Sequence, residues 1–285
     1  MPSKAQDATP LADQALAAFA SVDAKPGSPK PDPILVADGV RRTFGGLTAV
    51  NVDHVEIQRG SITALIGPNG AGKTTFFNLI TGFDKADQGR WTFNQASVAG
   101  MPPYKLARTG MVRTFQLTKA LSKMKVIENM RLGAKGQRGE SFFAALLPFL
   151  WSAQEGRITT RALELLERFN LHEKVDDFAG SLSGGQRKLL EMARALMTDP
   201  ELIMLDEPMA GVNPALKQSL LQHIKTMREE GTTVLFIEHD MDVVFRFASR
   251  IIVMVGGRIL VEGSPDEIAR DPEVRQVYLG GARHG

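Results

Sequence analysis

The feature that most constrains this chain is the run Gly67-Pro68-Asn69-Gly70-Ala71-Gly72-Lys73-Thr74. It fits the pattern G-x-x-x-x-G-K-[ST]. Glycines there let backbone N–H groups converge on phosphate oxygens, and the helix that follows adds the positive end of its dipole. Lys73 is placed to neutralise β- and γ-phosphates, and the Thr74 hydroxyl to ligate Mg²⁺. Ile62–Ile66 reads as a strand and Lys73–Ile80, including Thr75, as a helix, so the loop has a strand–loop–helix setting. That setting argues against a ligand-free glycine turn. Many unrelated enzymes share such a loop, so it names a nucleoside triphosphate as ligand and leaves the task open.

A second constellation lies downstream. Leu202-Ile203-Met204-Leu205 is a continuous apolar run that ends in Asp206-Glu207. Such a run suits a strand buried on both faces of a parallel sheet, and ligands sit beyond the carboxyl ends of such strands. Asp206 is expected to hold Mg²⁺, and Glu207 to orient and polarise an attacking water. A solvated acidic turn is the plainer alternative, made less attractive by the loop upstream. His239 ends another apolar strand, within Ile237-Glu238-His239-Asp240, and is expected to hydrogen-bond the γ-phosphate and the water.

The third motif is Leu182-Ser183-Gly184-Gly185-Gln186. Ser183 and Gln186 form a capping box for a helix with Leu189, Met192, Ala193 and Leu196 on its apolar face. Paired glycines weaken a helix by roughly 1 kcal/mol each, so their place beside the cap suggests that another molecule's phosphates approach this backbone.

Between these motifs the chain reads as α/β with β additions in front. Strand-like segments run over Ile34–Val40 and Val50–Ile57, with Gly45-Gly46 and Arg59-Gly60 as turns. Residues from about 117 to 182 carry helical periodicity, notably Ile158–Phe169 with Leu163, Leu166 and Phe169 in register, and read as an inserted helical lobe. Asn213-Pro214 opens a helix that Gly231 closes. Arg250–Val255 and Arg258–Val261 form a closing hairpin about Gly256-Gly257. Residues 1–33 hold six prolines and read as a flexible extension; a short docking helix with Leu11, Ala15, Leu16 and Phe19 on one face is the alternative.

Composition narrows the class. With 285 residues, 43% hydrophobic and 23% charged, the chain supports a full core. A net charge of +2 argues against a dedicated nucleic-acid binder. The absence of cysteine excludes disulfides and thiolate metal sites, and a reducing compartment is the natural setting. The apolar run Phe142–Trp151 is shorter than the roughly 20 residues a spanning helix needs, and burial in the helical lobe or contact with a membrane partner or the bilayer surface are open to it.

In order, the phosphate loop, Gln116 within Arg113-Thr114-Phe115-Gln116, Leu182–Gln186, Leu205-Asp206-Glu207 and His239 resemble the ATP-binding cassette of ABC transporters, from about residue 34 to the C-terminus. The resemblance implies a P-loop fold with a mostly parallel core sheet, an N-terminal antiparallel β-subdomain and an inserted helical subdomain. It implies two cassettes, identical or paralogous, with ATP sandwiched between one phosphate loop and Ser183, Gly184, Gly185 and Gln186 of the other. It also implies that Gln116 joins Thr74 and Asp206 at Mg²⁺ and senses the γ-phosphate, and that Phe44 stacks on adenine. An ordinary core phenylalanine is the alternative for Phe44.

Finer features resemble the ATPases of branched-chain amino acid importers: Phe44-Gly45-Gly46-Leu47, Val126-Ile127-Glu128-Asn129, Ile237–Met241 and Val277-Tyr278-Leu279-Gly280. Asn213 departs from the Asp of many cassettes and reads as a dimer contact. The implied partners are transmembrane permease subunits and, through them, a periplasmic or extracellular solute-binding protein, with no nucleic acid. The implied place is the cytoplasmic face of the inner or plasma membrane, held peripherally. The same cassette in lipopolysaccharide export or urea uptake is an alternative. A soluble ABC ATPase on nucleic-acid machinery is another, disfavoured by the single cassette and the lack of a heptad run. A non-hydrolysing regulatory subunit is disfavoured by Glu207 and His239.

Overall fold

Gly45 and Gly46 take φ of +50° and +90°, the left-handed backbone a two-residue hairpin turn requires. They fold β1 (Pro33–Phe44) back on β2 (Leu47–Gln58), with Phe44 opposite Leu47. After β3 (Ile62–Ile66), the chain adds β4 (Gln88–Phe93) and the short β5 (Ala96–Ser97), which extend this antiparallel sheet in the order β2-β1-β4-β5. The protein is a computed structural model in which residues 11–114, 122–135 and 152–280 are described. The chain forms two compact units, 1–106 with 221–285, and 107–220.

In the first unit, helices α1 (Leu11–Phe19) and α2 (Lys73–Ile80) flank the hairpin in sequence, and α3 (Pro103–Thr109) closes its first segment. The second unit begins at the end of α3. There β6 (Met111–Arg113) pairs in parallel with β7 (Leu202–Asp206), Met111 opposite Leu202 and Arg113 opposite Met204. Helices α4 (Val126–Leu132), α5 (Ser152–Arg168) and α6 (Gly184–Leu196) complete that unit before α7 (Pro214–Glu229) carries the chain back. The inserted lobe expected over about 117–182 falls inside this larger unit. The run Phe142–Trp151 lies outside the described residues.

The stripe on α5 differs from the expected register. Leu163 is 43% exposed, while Ala162, Leu165 and Leu166, with Phe169 just beyond, are buried. Residues 162, 165, 166 and 169 follow the i, i+3, i+4, i+7 helical spacing, which the 163-166-169 reading had displaced by one position at its start. On α6 the expected face, Leu189, Met192, Ala193 and Leu196, is buried throughout.

Back in the first unit, β8 (Thr233–Ile237) pairs in parallel with β3, Leu65 opposite Ile237. After α8 (Met241–Phe247), β9 (Arg250–Val255) takes the other edge of β3 in parallel, and β10 (Arg258–Gly263) returns antiparallel through Gly256-Gly257. β3 and β8 are buried at every position, as suits strands that are apolar but for Thr63 and Thr233. Helices α9 (Pro265–Arg270) and α10 (Pro272–Gly280) end the described chain, α9 capped by Ser264, whose Oγ accepts from Glu267 N. Among the described residues no helix is long and apolar enough to cross a membrane.

The segment read as a flexible extension differs from that reading over its described part. Ala15 on α1 is buried, while Leu16 is 47% exposed. Arg250 donates to the carbonyls of Val22 (3.5 Å) and Asp23 (2.6 Å), and its guanidinium stands 5.6 Å from the Phe19 ring. Lys30 Nζ lies 2.6 Å and Arg250 Nε 3.0 Å from Glu262 Oε1, with all three side chains at most 2% exposed. The proline-rich composition leaves little apolar surface to hold this stretch. Charge adds to what the few buried apolar side chains hold: a buried carboxylate is tolerable only beside cations, and Lys30 supplies one. Burial pulls the Lys30 ammonium below its ordinary value, opposed by Glu262.

Candidate functional site

In the first unit the glycine loop leaves β3 at its carboxyl end. Gly67 (φ +152°) passes so close to Met254 that an added Cβ would stand 2.0 Å from its carbonyl oxygen. Gly72 (φ +99°) would place one 2.3 Å from Ala49 O. Both positions therefore need glycine for backbone reasons. Gly70 (φ +78°) faces open space, and Pro68, Asn69 and Gly70 are exposed while Ala71 is buried. The loop closes on itself through Ala71 N to Pro68 O at 3.1 Å. Lys73 folds its largely buried stem under the loop and donates to Gly67 O (2.7 Å) and Pro68 O (3.0 Å). Thr74 is exposed and Thr75 half-buried at the first turn of α2, where amides have no preceding carbonyl inside the helix to pair with. The result is a cradle of glycine backbone with a cation at its rim, which suits a polyphosphate.

His239 reaches the same edge of the same sheet. Leu65 and Ile237 are register partners, so the loop after β3 and Glu238-His239 after β8 leave adjacent parallel strands at matching ends. His239 is exposed; its own amide donates to buried Glu238 at 3.2 Å, and Asp240 next to it caps α8 by accepting from Val243 N at 3.3 Å.

Phe44 is 46% exposed, outside any core, which removes the plain core reading. The Arg42 guanidinium lies 4.5 Å from its ring centroid and is itself held by Asp84 and Asp87, each at 3.0 Å.

In the second unit Asp206 ends β7. Its Oδ2 accepts from Arg113 Nη2 at 2.7 Å, both side chains 6% exposed, while its Oδ1 is buried with no hydrogen-bond partner. A buried carboxylate oxygen left in that state costs free energy unless a cation or water meets it, so Asp206 fits a metal-holding part. Thr74, an exposed hydroxyl, fits the same hard-oxygen chemistry. Glu207 follows in the left-handed region, φ +48°. For a side chain of that size this is strain of about 1–3 kcal/mol, of the kind found concentrated at functional positions. Asp206 and Glu207 line a small cleft, open in part to solvent, with Thr114, Lys188, Glu191 and Met192.

Ser183 caps α6 as expected: its Oγ accepts from Gln186 N at 3.2 Å and its amide donates to Gln186 Oε1 at 2.9 Å. Ser183 and Gly184 are exposed. The two glycines differ. A Cβ on Gly184 meets nothing within 4 Å, whereas one on Gly185 would stand 2.1 Å from Leu216 Cδ2, so a side chain there needs the Leu216 side chain to turn aside. Asn213 caps α7, its Oδ1 accepting from Leu216 N at 2.9 Å. Gln116 lies outside the described residues.

Thus the phosphate loop, His239 and Phe44 stand in the first unit, and Ser183–Gln186, Asp206 and Glu207 in the second. Reading the sequence alone missed Arg113 as the partner of Asp206. A cation inside the otherwise apolar Met111-Val112-Arg113 was the available signal, since a charge in a buried strand needs a counter-charge.

Comparison with known proteins places the chain in a family. The ABC transporter family profile matches residues 50–210, and a profile described as branched-chain amino acid ATP-binding cassette transporter matches residues 258–284. The high-affinity branched-chain amino acid transport ATP-binding protein LivG of Salmonella typhimurium is 42% identical over 253 residues, covering 88% of this chain and 99% of that protein. Its Escherichia coli counterpart is 41% identical over the same length. The crystal structure of a nucleotide-free ATP-binding cassette from an ABC transporter superposes with a TM-score of 0.75 at 38% identity, covering 86% of this chain and 98% of that one.

Proposed function

Since this chain belongs to the ATP-binding cassette family of ABC transporters, we propose that it binds MgATP and hydrolyses it to energise uptake of branched-chain or related amino acids through membrane-spanning partners. What supports the chemistry is the pairing, within one unit, of a glycine cradle and His239 at matching ends of adjacent parallel strands. What supports the solute class is that the relatives named for it match this chain over nearly their whole length.

In this reading the backbone of Gly67–Thr75 wraps the phosphates. Lys73 leaves one or both of its loop carbonyls to meet the β- and γ-oxygens. Phe44 stacks on the base. Thr74, Gln116 and Asp206 hold Mg²⁺, which when bound neutralises charge on the β- and γ-phosphate oxygens. Glu207 accepts the proton of a water that attacks the γ-phosphorus, while the bond to the β–γ bridging oxygen breaks and ADP leaves. His239 hydrogen-bonds the γ-phosphate and keeps the water in line. Ser183, Gly184, Gly185 and Gln186 present a helix N-terminus to the ATP held by a second cassette, where the dipole and free amides favour anions. The assembly sits at the cytoplasmic face of the membrane, bound to permease subunits served by a solute-binding protein.

The test is a pair of variants assayed with and without those subunits in vesicles. Glu207→Gln is expected to keep ATP binding while lowering turnover by about 1,000-fold, in the range general-base loss produces. Lys73→Ala is expected to lose ATP binding itself. Turnover by Glu207→Gln equal to the parent protein would sink the assignment of the base. Hydrolysis that responds to none of leucine, isoleucine and valine with the full assembly would sink the solute class.

A further inference from the structure

Lys188 stands one turn inside α6, whose exposed amino end carries Ser183. Its ammonium reaches across to the chain that follows Glu207, donating to Pro208 O at 3.2 Å and to Ala210 O. Those two carbonyls belong to one tight turn, closed by Ala210 N to Glu207 O at 3.1 Å. The first residue of the turn is Glu207, held at φ +48°. Lys188, Asp206 and Glu207 line the same cleft.

We propose that Lys188 is a positioning residue for hydrolysis: from the helix that ends at Ser183 it grips the turn after Glu207, and so fixes where the Glu207 carboxylate points. The inference rests on the reading of Glu207 as the base.

Two physical points carry it. First, a left-handed glutamate relaxes toward ordinary backbone unless its surroundings hold it. A cation donating to two carbonyls of the adjoining turn is such a hold, and a charge-assisted bond is about twice as strong as a neutral one. Second, the grip comes from the same rigid helix whose amino end presents Ser183 to an incoming nucleotide. A few tenths of an ångström of movement of α6 is therefore passed to Glu207 by a single side chain. Catalysis is sensitive to that scale, since a misplacement of about 1 Å can cost on the order of 100-fold in rate.

The experiment is steady-state hydrolysis by the full-length protein carrying Lys188→Ala, Lys188→Arg or Glu207→Gln, with binding of a fluorescent ATP analogue and the thermal midpoint read in parallel. Lys188→Ala is expected to lower kcat by about 30-fold with KM for ATP and analogue affinity within about twofold, the pattern of an interaction that matters at the transition state. Lys188→Arg, which keeps the charge and the donors, is expected to restore at least a third of the rate. If Lys188→Ala is poorly folded, Lys188→Met keeps the apolar stem and is read the same way. Parent-like kcat in Lys188→Ala while Glu207→Gln is inactive overturns the proposal alone. A raised KM with kcat preserved overturns it too, and so does an arginine variant no better than alanine. Parent-like turnover by Glu207→Gln removes the base reading first, and is told apart by that variant.

Discussion

The two ends of the parallel strands in the first unit are built on opposite terms. At the carboxyl ends, the loop after β3 and His239 after β8 are open: exposed backbone, glycines at positive φ, and a lysine donating to carbonyls that a ligand can replace. At the amino end of β9, Arg250 is sealed with Glu262 and Lys30 in a group at most 2% exposed, and the N-terminal stretch is laid over it. One end keeps its charges available for a partner that comes and goes. The other has matched them permanently with the chain's own. The difference teaches that charge matched by the chain's own counter-charges acts as fastening and charge that can exchange partners acts as chemistry, and that neither can be inferred from residue type alone.

Three experiments would break or sharpen this contrast. The largest effect is expected at the open end. Gly72→Ala forces a Cβ to within 2.3 Å of Ala49 O at a φ that L residues avoid, and should abolish measurable ATP binding in a titration with the fluorescent analogue. A variant that binds normally would show that the loop tolerates a different backbone path. At the sealed end, Glu262→Gln removes the carboxylate that bonds both Lys30 and Arg250, and should cost about 3 kcal/mol in urea-melt stability, as breaking a buried pair does. ATP affinity of the folded fraction should stay within about twofold, because distant sites act independently. Loss of affinity without loss of stability would mean that the two ends are coupled.

The smallest effect is a pH dependence on the antiparallel sheet. Asp38 is held below the ordinary aspartate value of 3.8, first by the hydrogen bond from His54 and further by Arg90. A depressed carboxylate contributes stability that is present above pH 3.8 and is lost as the pH falls through its lower folded value. Asp38→Asn should therefore show a flatter fall of thermal midpoint with pH below about 4 than the parent protein does. Parallel curves would remove Asp38 from the contrast.

What could be read in advance follows from the same physics. The loop at residues 67–74, the capped helix at Ser183, the strand ending in Asp206 and the hairpin at Gly256-Gly257 are local in sequence, and each is dictated by backbone needs that particular residues meet. Arg113 with Asp206, and Lys30 with Glu262 and Arg250, were not legible. Each joins positions far apart in the chain, and a lone charge in a strand announces that it needs a partner without saying where. The N-terminal stretch was misjudged for that reason, since composition measures apolar content and this stretch is held in part by ions. Phe44 was singled out by family likeness, and only its exposure separates it from a core residue.

The unequal settings of Gly184 and Gly185 bear on how any genetic screen of this protein should be interpreted. A replacement at 185 must first displace the Leu216 side chain, so a defective phenotype there mixes one polypeptide's own packing with whatever meets that surface. Position 184 has free room around it, and a defect there speaks of whatever comes to rest against that surface. Of the two neighbouring glycines, 184 is the cleaner probe.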